Sequence, residues 1–181
     1  MKRIILASTS PARKALMDTL GIAYEVEAPG VDEDVDAKTA TEATQILARR
    51  KAEAVLARHP DAIVIGSDQL VWFEGEALGK PPDAERAYRQ LAAMSGKVHE
   101  IVTAVCVPPS VEVDVARLTM RPLSEPELRA YVATGEWQGC AGAYRIEGQG
   151  RRLFARIDGD LTSIQGLPLN IVRALLARAG A

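Results

Sequence analysis

Several short stretches, far apart in the chain, carry side chains suited to handling a phosphate-bearing ligand. The first is Ser8-Thr9-Ser10-Pro11, followed directly by Arg13 and Lys14. A serine-rich turn with proline at the first helical position predicts a helix start, where free N–H groups and the positive end of the dipole face one spot. That makes an anion cradle in principle, although an ordinary capped helix with two solvated cations is the weightier reading of this segment alone. The second stretch, Ser67-Asp68-Gln69, ends the apolar run Ile63-Val64-Ile65-Gly66. An α/β protein places reacting groups at such a strand end because the sheet holds them rigid at a rim. A turn aspartate accounts for Asp68 about as well. Asp32, Glu33 and Asp34 form an acidic cluster that, with Asp68, offers hard oxygen ligands suited to magnesium, while a solvated acidic loop is the commoner explanation. Lys51 and Lys80 have the charge to offset a polyphosphate, but each taken singly is more often a surface lysine.

Other arrangements are excluded or carry little. Gly75-Glu76-Ala77-Leu78-Gly79-Lys80-Pro81 is one residue short of a Walker motif and has proline where the magnesium-binding hydroxyl belongs. Gly148-Gln149-Gly150 lacks the third glycine of a dinucleotide fingerprint. Ser67 and Thr103 enter no Ser-His-Asp order. His59 reads as a polar helix end, and His99 is ambiguous between core, surface and site. Cys106 and Cys140 show no metal-ligand spacing and read as small apolar packing residues.

The elements that must position these residues follow from periodicity and punctuation. Arg3 to Ala7 reads as a strand, Ala15 to Leu20 as helical sequence closed by Gly21, and Tyr24 to Val26 as a second strand. A long helix is expected from about Thr41 to Arg58, with Ala43, Ile46, Leu47, Ala54 and Ala57 as its apolar stripe. Arg50 falls inside that stripe and Lys51 on its shoulder, so at least one of these cations is expected to face protein or ligand. Ile63 to Gly66 reads as a strand covered on both faces, with Leu70 to Phe73 as its continuation. Asp83 to Met94 is expected to be helical, Val98 to Val107 and Val111 to Met120 adjacent strands, and Ser124 the start of a helix with a capping box. Strands around Ala143 to Ile146 and Leu153 to Ile157, then a helix from Leu167 to Ala177, complete the reading. Interleaved strands and helices predict a mixed α/β sheet flanked by helices.

Length and composition agree with one such domain over residues 1–181. A chain of 181 residues buries roughly two-thirds of its unfolded surface in a single core. With 48% hydrophobic and 25% charged residues, it falls among ordinary globular proteins and not among disordered chains. A net charge of -2 argues against a nucleic-acid partner tracked through many phosphates. No apolar run of about 18 residues occurs, and the start lacks a secretory pattern, so a cytoplasmic protein with no membrane partner is expected.

Taken in order, Leu6 to Lys14, Val31-Asp32-Glu33, Arg50-Lys51-Ala52, Gly66 to Gln69, Gly79-Lys80-Pro81, Ser95 to His99 and Gly142 to Gly148 resemble the Maf family of nucleoside triphosphate pyrophosphatases. The resemblance implies a compact α/β fold of the Maf/ITPase type with a deep nucleotide-binding cleft. It also implies hydrolysis of a nucleoside triphosphate to monophosphate and pyrophosphate with a divalent metal, Mg2+ or Mn2+. By the same resemblance Asp68 is the proton acceptor; Ser8, Arg13, Lys14, Lys51 and Lys80 bind the phosphates; and Glu33 and Asp68 are metal ligands. Ala12, Gln69 and Glu147 stand at positions that choose the base, and the pair Gln69 and Glu147 resembles the group acting on 7-methyl-GTP. A carboxylate suits the adjacent N–H donors of a guanine edge and favours a cationic methylated base. Ala12 departs from the aromatic residue associated with that group. The implied role is to keep modified nucleotides out of nucleic acids. The alternatives are a dTTP/UTP pyrophosphatase of the same family and a non-catalytic nucleotide-binding regulator of cell division, with a homodimer left open.

Overall fold

The computed structural model describes residues 2–181. In chain order the elements are β1 (Ile4–Ala7), α1 (Pro11–Asp18), β2 (Glu25–Glu27), α2 (Ala40–Leu56), β3 (Ile63–Phe73), β4 (Glu76–Leu78), α3 (Ala84–Met94), β5 (Val98–Val107), β6 (Ser110–Met120), α4 (Glu125–Ala133), β7 (Phe154–Asp158), α5 (Leu161–Ile164) and α6 (Leu169–Ala179). The seven strands form a mixed sheet in the order β2-β1-β3-β5-β6-β7, with β4 pairing with β3. The protein is therefore mixed α/β, as expected. Two compact units divide the chain: Met1–Gln69, Val102–Asp114 and Asp160–Ala181 in the first, Leu70–Ile101 and Val115–Gly159 in the second.

In the first unit β1 lies between β2 and β3, parallel to both, with Ala7 opposite Gly66. Side chains alternate across its strands as the pleat demands. Leu6, Ile65 and Val105 join Met17 of α1 and Val172 and Leu175 of α6 in one buried cluster. Ile5, Val64 and Ala104 join Ala48, Ala52 and Val55 of α2 in another. Covering both faces explains why β1 and the start of β3 read as unbroken apolar runs. Cys106 sits in the second cluster as a packing residue, and burial pushes its thiol up to about 11.

Helix α2 comes unusually close to β3. A Cβ placed on Gly66 would lie 2.2 Å from the Ala48 carbonyl oxygen and 2.7 Å from the Ala52 nitrogen. Only glycine admits that approach. It also sets the rotation of the helix, whose buried face runs through Ala43, Leu47, Ala48, Lys51, Ala52 and Val55. The stripe expected from the sequence is thus turned: Ala57 is exposed, and Lys51 points inward.

In the second unit α3 is capped by Asp83, and α4 opens with the expected capping box of Ser124 and Glu127. The strand expected at Ala143 to Ile146 does not form. A 3-10 turn covers Ala141–Ala143, with Gly142 and Ala143 at φ of 74° and 64°. Two successive left-handed residues break the extended path, and Tyr144 turns inward against Phe154 and His99 at 4.8 and 5.5 Å between ring centroids. His99 is buried, with Nε2 2.8 Å from the Tyr144 hydroxyl, and burial pulls its pKa down to about 4. Among the described residues, no helix is long and apolar enough to cross a membrane.

Candidate functional site

The parallel pairing of β1 with β3 brings two of the expected stretches to one edge of the first unit. With Ala7 opposite Gly66, the chain leaving β1 through Ser8 runs beside Ser67 and Asp68. Asp68 does not follow the end of its strand, because β3 continues to Phe73, but it lies where the neighbouring strand β1 has ended. The polar triplet is tolerated inside a continuous, buried strand because each side chain finds a polar partner: Ser67 the Gly166 carbonyl, Asp68 the Lys51 ammonium, and Gln69 Thr103 and the carbonyls of α5. Ser10 caps α1, its hydroxyl accepting from the Arg13 backbone N–H, while Ser8 Oγ accepts from the Ser10 N–H at 3.1 Å. The Ser-Thr-Ser-Pro turn is therefore a helix N-terminus, built as its residue types require.

Lys51 is the centre of the arrangement. Its side chain is only 8% exposed, and Nζ lies 2.7 Å from Asp68 Oδ1 and 2.6 Å from Glu33 Oε1. A buried lysine needs such partners, since an isolated ammonium would cost several kcal/mol to desolvate, on the order of the Born penalty tempered by relaxation. Asp68 is also buried, and its Oδ2 makes no hydrogen bond within the protein. Desolvation raises the Asp68 pKa above the ordinary aspartate range, and the positive charges of Lys51 and Arg13 offset only part of that rise. For Arg13, burial lowers the pKa while Asp68 and Glu33 oppose the shift. An arginine in that setting keeps its charge.

Arg13 is aimed by a segment that carries no periodic signal in the sequence. Its Nε donates to the Gly166 carbonyl at 2.9 Å, and Ser67 Oγ donates to the same oxygen at 3.3 Å. Gly166 has φ of +121°, a value that side-chain-bearing residues rarely adopt, and follows the short helix α5. Asp160 caps that helix through the Thr162 and Ser163 N–H groups. Asp160 followed by Gly166 at the end of a four-residue stretch was the available signal, too short for helical periodicity to register.

The other expected residues fall in different settings. Gln69 has its side-chain amide engaged inside the first unit, donating to Thr103 Oγ1 and to the Ser163 and Ile164 carbonyls. Ala12 is exposed in the first turn of α1. Lys14, also exposed, pairs with Asp18 one turn on at 3.0 Å. Arg50 reaches the acidic loop, donating to the Asp32 and Asp34 carbonyls at 2.6 and 2.9 Å, which ties the loop bearing Glu33 to α2. Lys80 and Glu147 belong to the second unit; both are exposed, and Glu147 lies 3.7 Å from Arg145. Ser8, Arg13, Glu33, Lys51, Ser67 and Asp68 all belong to the first.

A buried lysine between two carboxylates, beside the end of β1 and a helix N-terminus with an arginine, is the equipment of an anion-handling α/β site. The comparisons with known proteins give that class a family. The profile of the Maf-like proteins matches residues 3–179, and the chain belongs to that family. It is 43% identical over 180 residues to a dTTP/UTP pyrophosphatase of Bacillus velezensis, covering 96% of this chain and 95% of that one. A dTTP/UTP pyrophosphatase of Symbiobacterium thermophilum is 41% identical over 185 residues, covering 99% and 95%. A 7-methyl-GTP pyrophosphatase of Bdellovibrio bacteriovorus is 40% identical over 185 residues, covering 98% and 97%.

Proposed function

We propose that the protein is a nucleoside triphosphate pyrophosphatase, cleaving the bond between the α and β phosphates to leave a nucleoside monophosphate. The observation that carries this reading is the buried Lys51 held between Asp68 and Glu33, with Asp68 Oδ2 still unpartnered. Family membership and the names of the relatives support it.

The chemistry follows from residue types. Hydrolysis needs a water placed in line with a leaving pyrophosphate and charge to offset what builds on the departing oxygens. Asp68 takes the water's proton on Oδ2; its raised pKa brings a carboxylate nearer the range where it can both ionise and hold a proton. Lys51 fixes the other carboxylate oxygen, and its charge favours the ionised form of Asp68 against the effect of burial. Arg13, Ser8 and the N–H groups opening α1 bind the phosphates, with Lys14 as a further cation; for Lys80, in the second unit, a phosphate role rests on the family resemblance alone. Asp68 and Glu33 fit a Mg2+- or Mn2+-class ion, because such ions use one or two carboxylates and complete their shell with water and phosphate oxygens. Among the described residues no three His, Cys, Asp or Glu side chains converge as a protein-only cage. When bound, the metal would supply charge neutralisation on the phosphates.

For the base, the carboxylate of Glu147 favours 7-methyl-GTP: it matches the paired N–H donors of guanine and the added positive charge. The dTTP/UTP reading is supported by the 43% identical relative. Pyrophosphate release measured across 7-methyl-GTP, GTP, UTP and dTTP, with and without magnesium, tests all of this. A higher kcat/KM on 7-methyl-GTP is expected. A preference for UTP or dTTP would reject the base assignment alone, and nucleotide binding without pyrophosphate release would reject the enzyme in favour of a regulator.

A further inference from the structure

The Gly166 turn touches Arg13, yet what holds that turn in place comes from two sheet side chains. The Ser163 carbonyl, near the end of α5, accepts from Gln69 Nε2 at 2.7 Å and from Thr103 Oγ1 at 3.1 Å. The same Gln69 nitrogen also donates to Thr103 Oγ1 at 2.9 Å and to the Ile164 carbonyl at 3.2 Å. The backbone N–H of Gly166 donates to the Ser163 carbonyl as well, at 2.9 Å. Thr103 and Ser163 are fully buried, so water does not replace these bonds when they are lost. A helix of four residues has little stability of its own, and these contacts pin its C-terminal carbonyls to β3 and β5. From there one residue, at a φ that favours glycine, turns the Gly166 carbonyl onto Arg13 Nε.

We infer that Thr103 and Gln69 are positioning residues for the triphosphate, acting through α5 and the Gly166 carbonyl to fix the Arg13 guanidinium. This rests on the pyrophosphatase reading and gives Gln69 a role distinct from contact with the base: its N–H donors are directed at Thr103 and α5. The hydrogen bonds of this connection end on Thr103, α5 and Arg13, whereas the Asp68 carboxylate is hydrogen-bonded by Lys51. Loosening it therefore weakens phosphate binding while leaving the Asp68 step intact.

The variant is Thr103→Val, which keeps shape and removes the hydroxyl; Thr103→Ser restores it, and Gln69→Met tests the other member should Thr103→Val fail to fold. Thr103→Val is expected to raise KM for the preferred triphosphate about five- to tenfold with kcat within about twofold, the pattern of lost uniform binding. Thr103→Ser should stay near wild type. In an Arg13→Ala background Thr103→Val should add nothing to KM, because the two act on one interaction. Independently of activity, the Arg13 Nε–H signal, identified by its loss in Arg13→Lys, should exchange with water about tenfold faster in Thr103→Val, the factor expected for losing one net hydrogen bond. Unchanged exchange in a folded Thr103→Val protein, or an equal KM effect with and without Arg13, overturns the inference. If the wild-type protein releases no pyrophosphate from any triphosphate, the functional reading fails, and the exchange measurement still decides whether Thr103 holds Arg13.

Discussion

Gly66→Ala is the sharpest test of how this site is held. The new Cβ would fall 2.2 Å from the Ala48 carbonyl oxygen and 2.8 Å from the Ala52 Cβ. Carbon-to-oxygen contacts between packed backbones reach about 3.3 Å at their closest, so α2 must retreat from β3 by roughly 1 Å. The obstruction is helix backbone, which has no rotamer through which to escape. Overpacking of this kind costs about 3 kcal/mol, the upper part of the usual range. For a chain of this length that corresponds to a fall in Tm of about 6–12 °C. Lys51 rides on the same turn of α2, and a 1 Å retreat stretches its 2.7 Å bond to Asp68 beyond hydrogen-bond length. Misplacement by that distance costs about a hundredfold in rate. Differential scanning calorimetry and a pyrophosphate-release assay read the two effects. The control is Gly79→Ala, where a Cβ meets nothing within 4 Å and stability should stay within about 0.5 kcal/mol of wild type. Wild-type Tm and turnover in Gly66→Ala would refute the claim that this glycine sets the position of Lys51.

Asp68→Asn should lower kcat for pyrophosphate release by about 10²–10⁴-fold while triphosphate binding, followed by calorimetric titration, persists. Since burial raises the Asp68 pKa, the acid limb of kcat/KM should lie above the ordinary aspartate value of 3.8, and Lys51→Gln should move it higher still by removing the cation that lowers it. His99 gives a stability signature instead. Its pKa is near 4 in the folded protein against 6.5 as the ordinary value, so the unfolded chain binds the proton more tightly. The stability it confers is present above 6.5 and is lost as pH falls from 6.5 toward 4, by up to about 3 kcal/mol. Urea unfolding of His99→Gln between those pH values should show that slope flattened, and an unchanged slope would contradict the assignment.

Elements with strong local signals are legible in the chain alone. Strand-forming residues ending at the Pro108-Pro109-Ser110 turn identified Val98 to Val107 as a strand, a reciprocal Ser124 and Glu127 cap identified α4, and an apolar run ahead of Asp68 identified β3. The sequence also picked out Asp68, Lys51, Glu33 and Arg13 by residue type. What it left open was their grouping, because Lys51 and Asp68 are brought within 2.7 Å by packing that no periodicity encodes. Lys51 lay at the shoulder of the expected stripe, and it turned inward because one missing side chain at Gly66 lets α2 roll onto the sheet. Tyr144 likewise left the strand it was expected to join once Gly142 and Ala143 adopted left-handed backbone and its ring found His99. Local pattern specifies which face an element buries only to within a rotation or a register. The close approach of distant backbone, here Gly66 against Ala48 and Gly166 against Arg13, decides the rest, because steric fit acts between segments far apart along the chain.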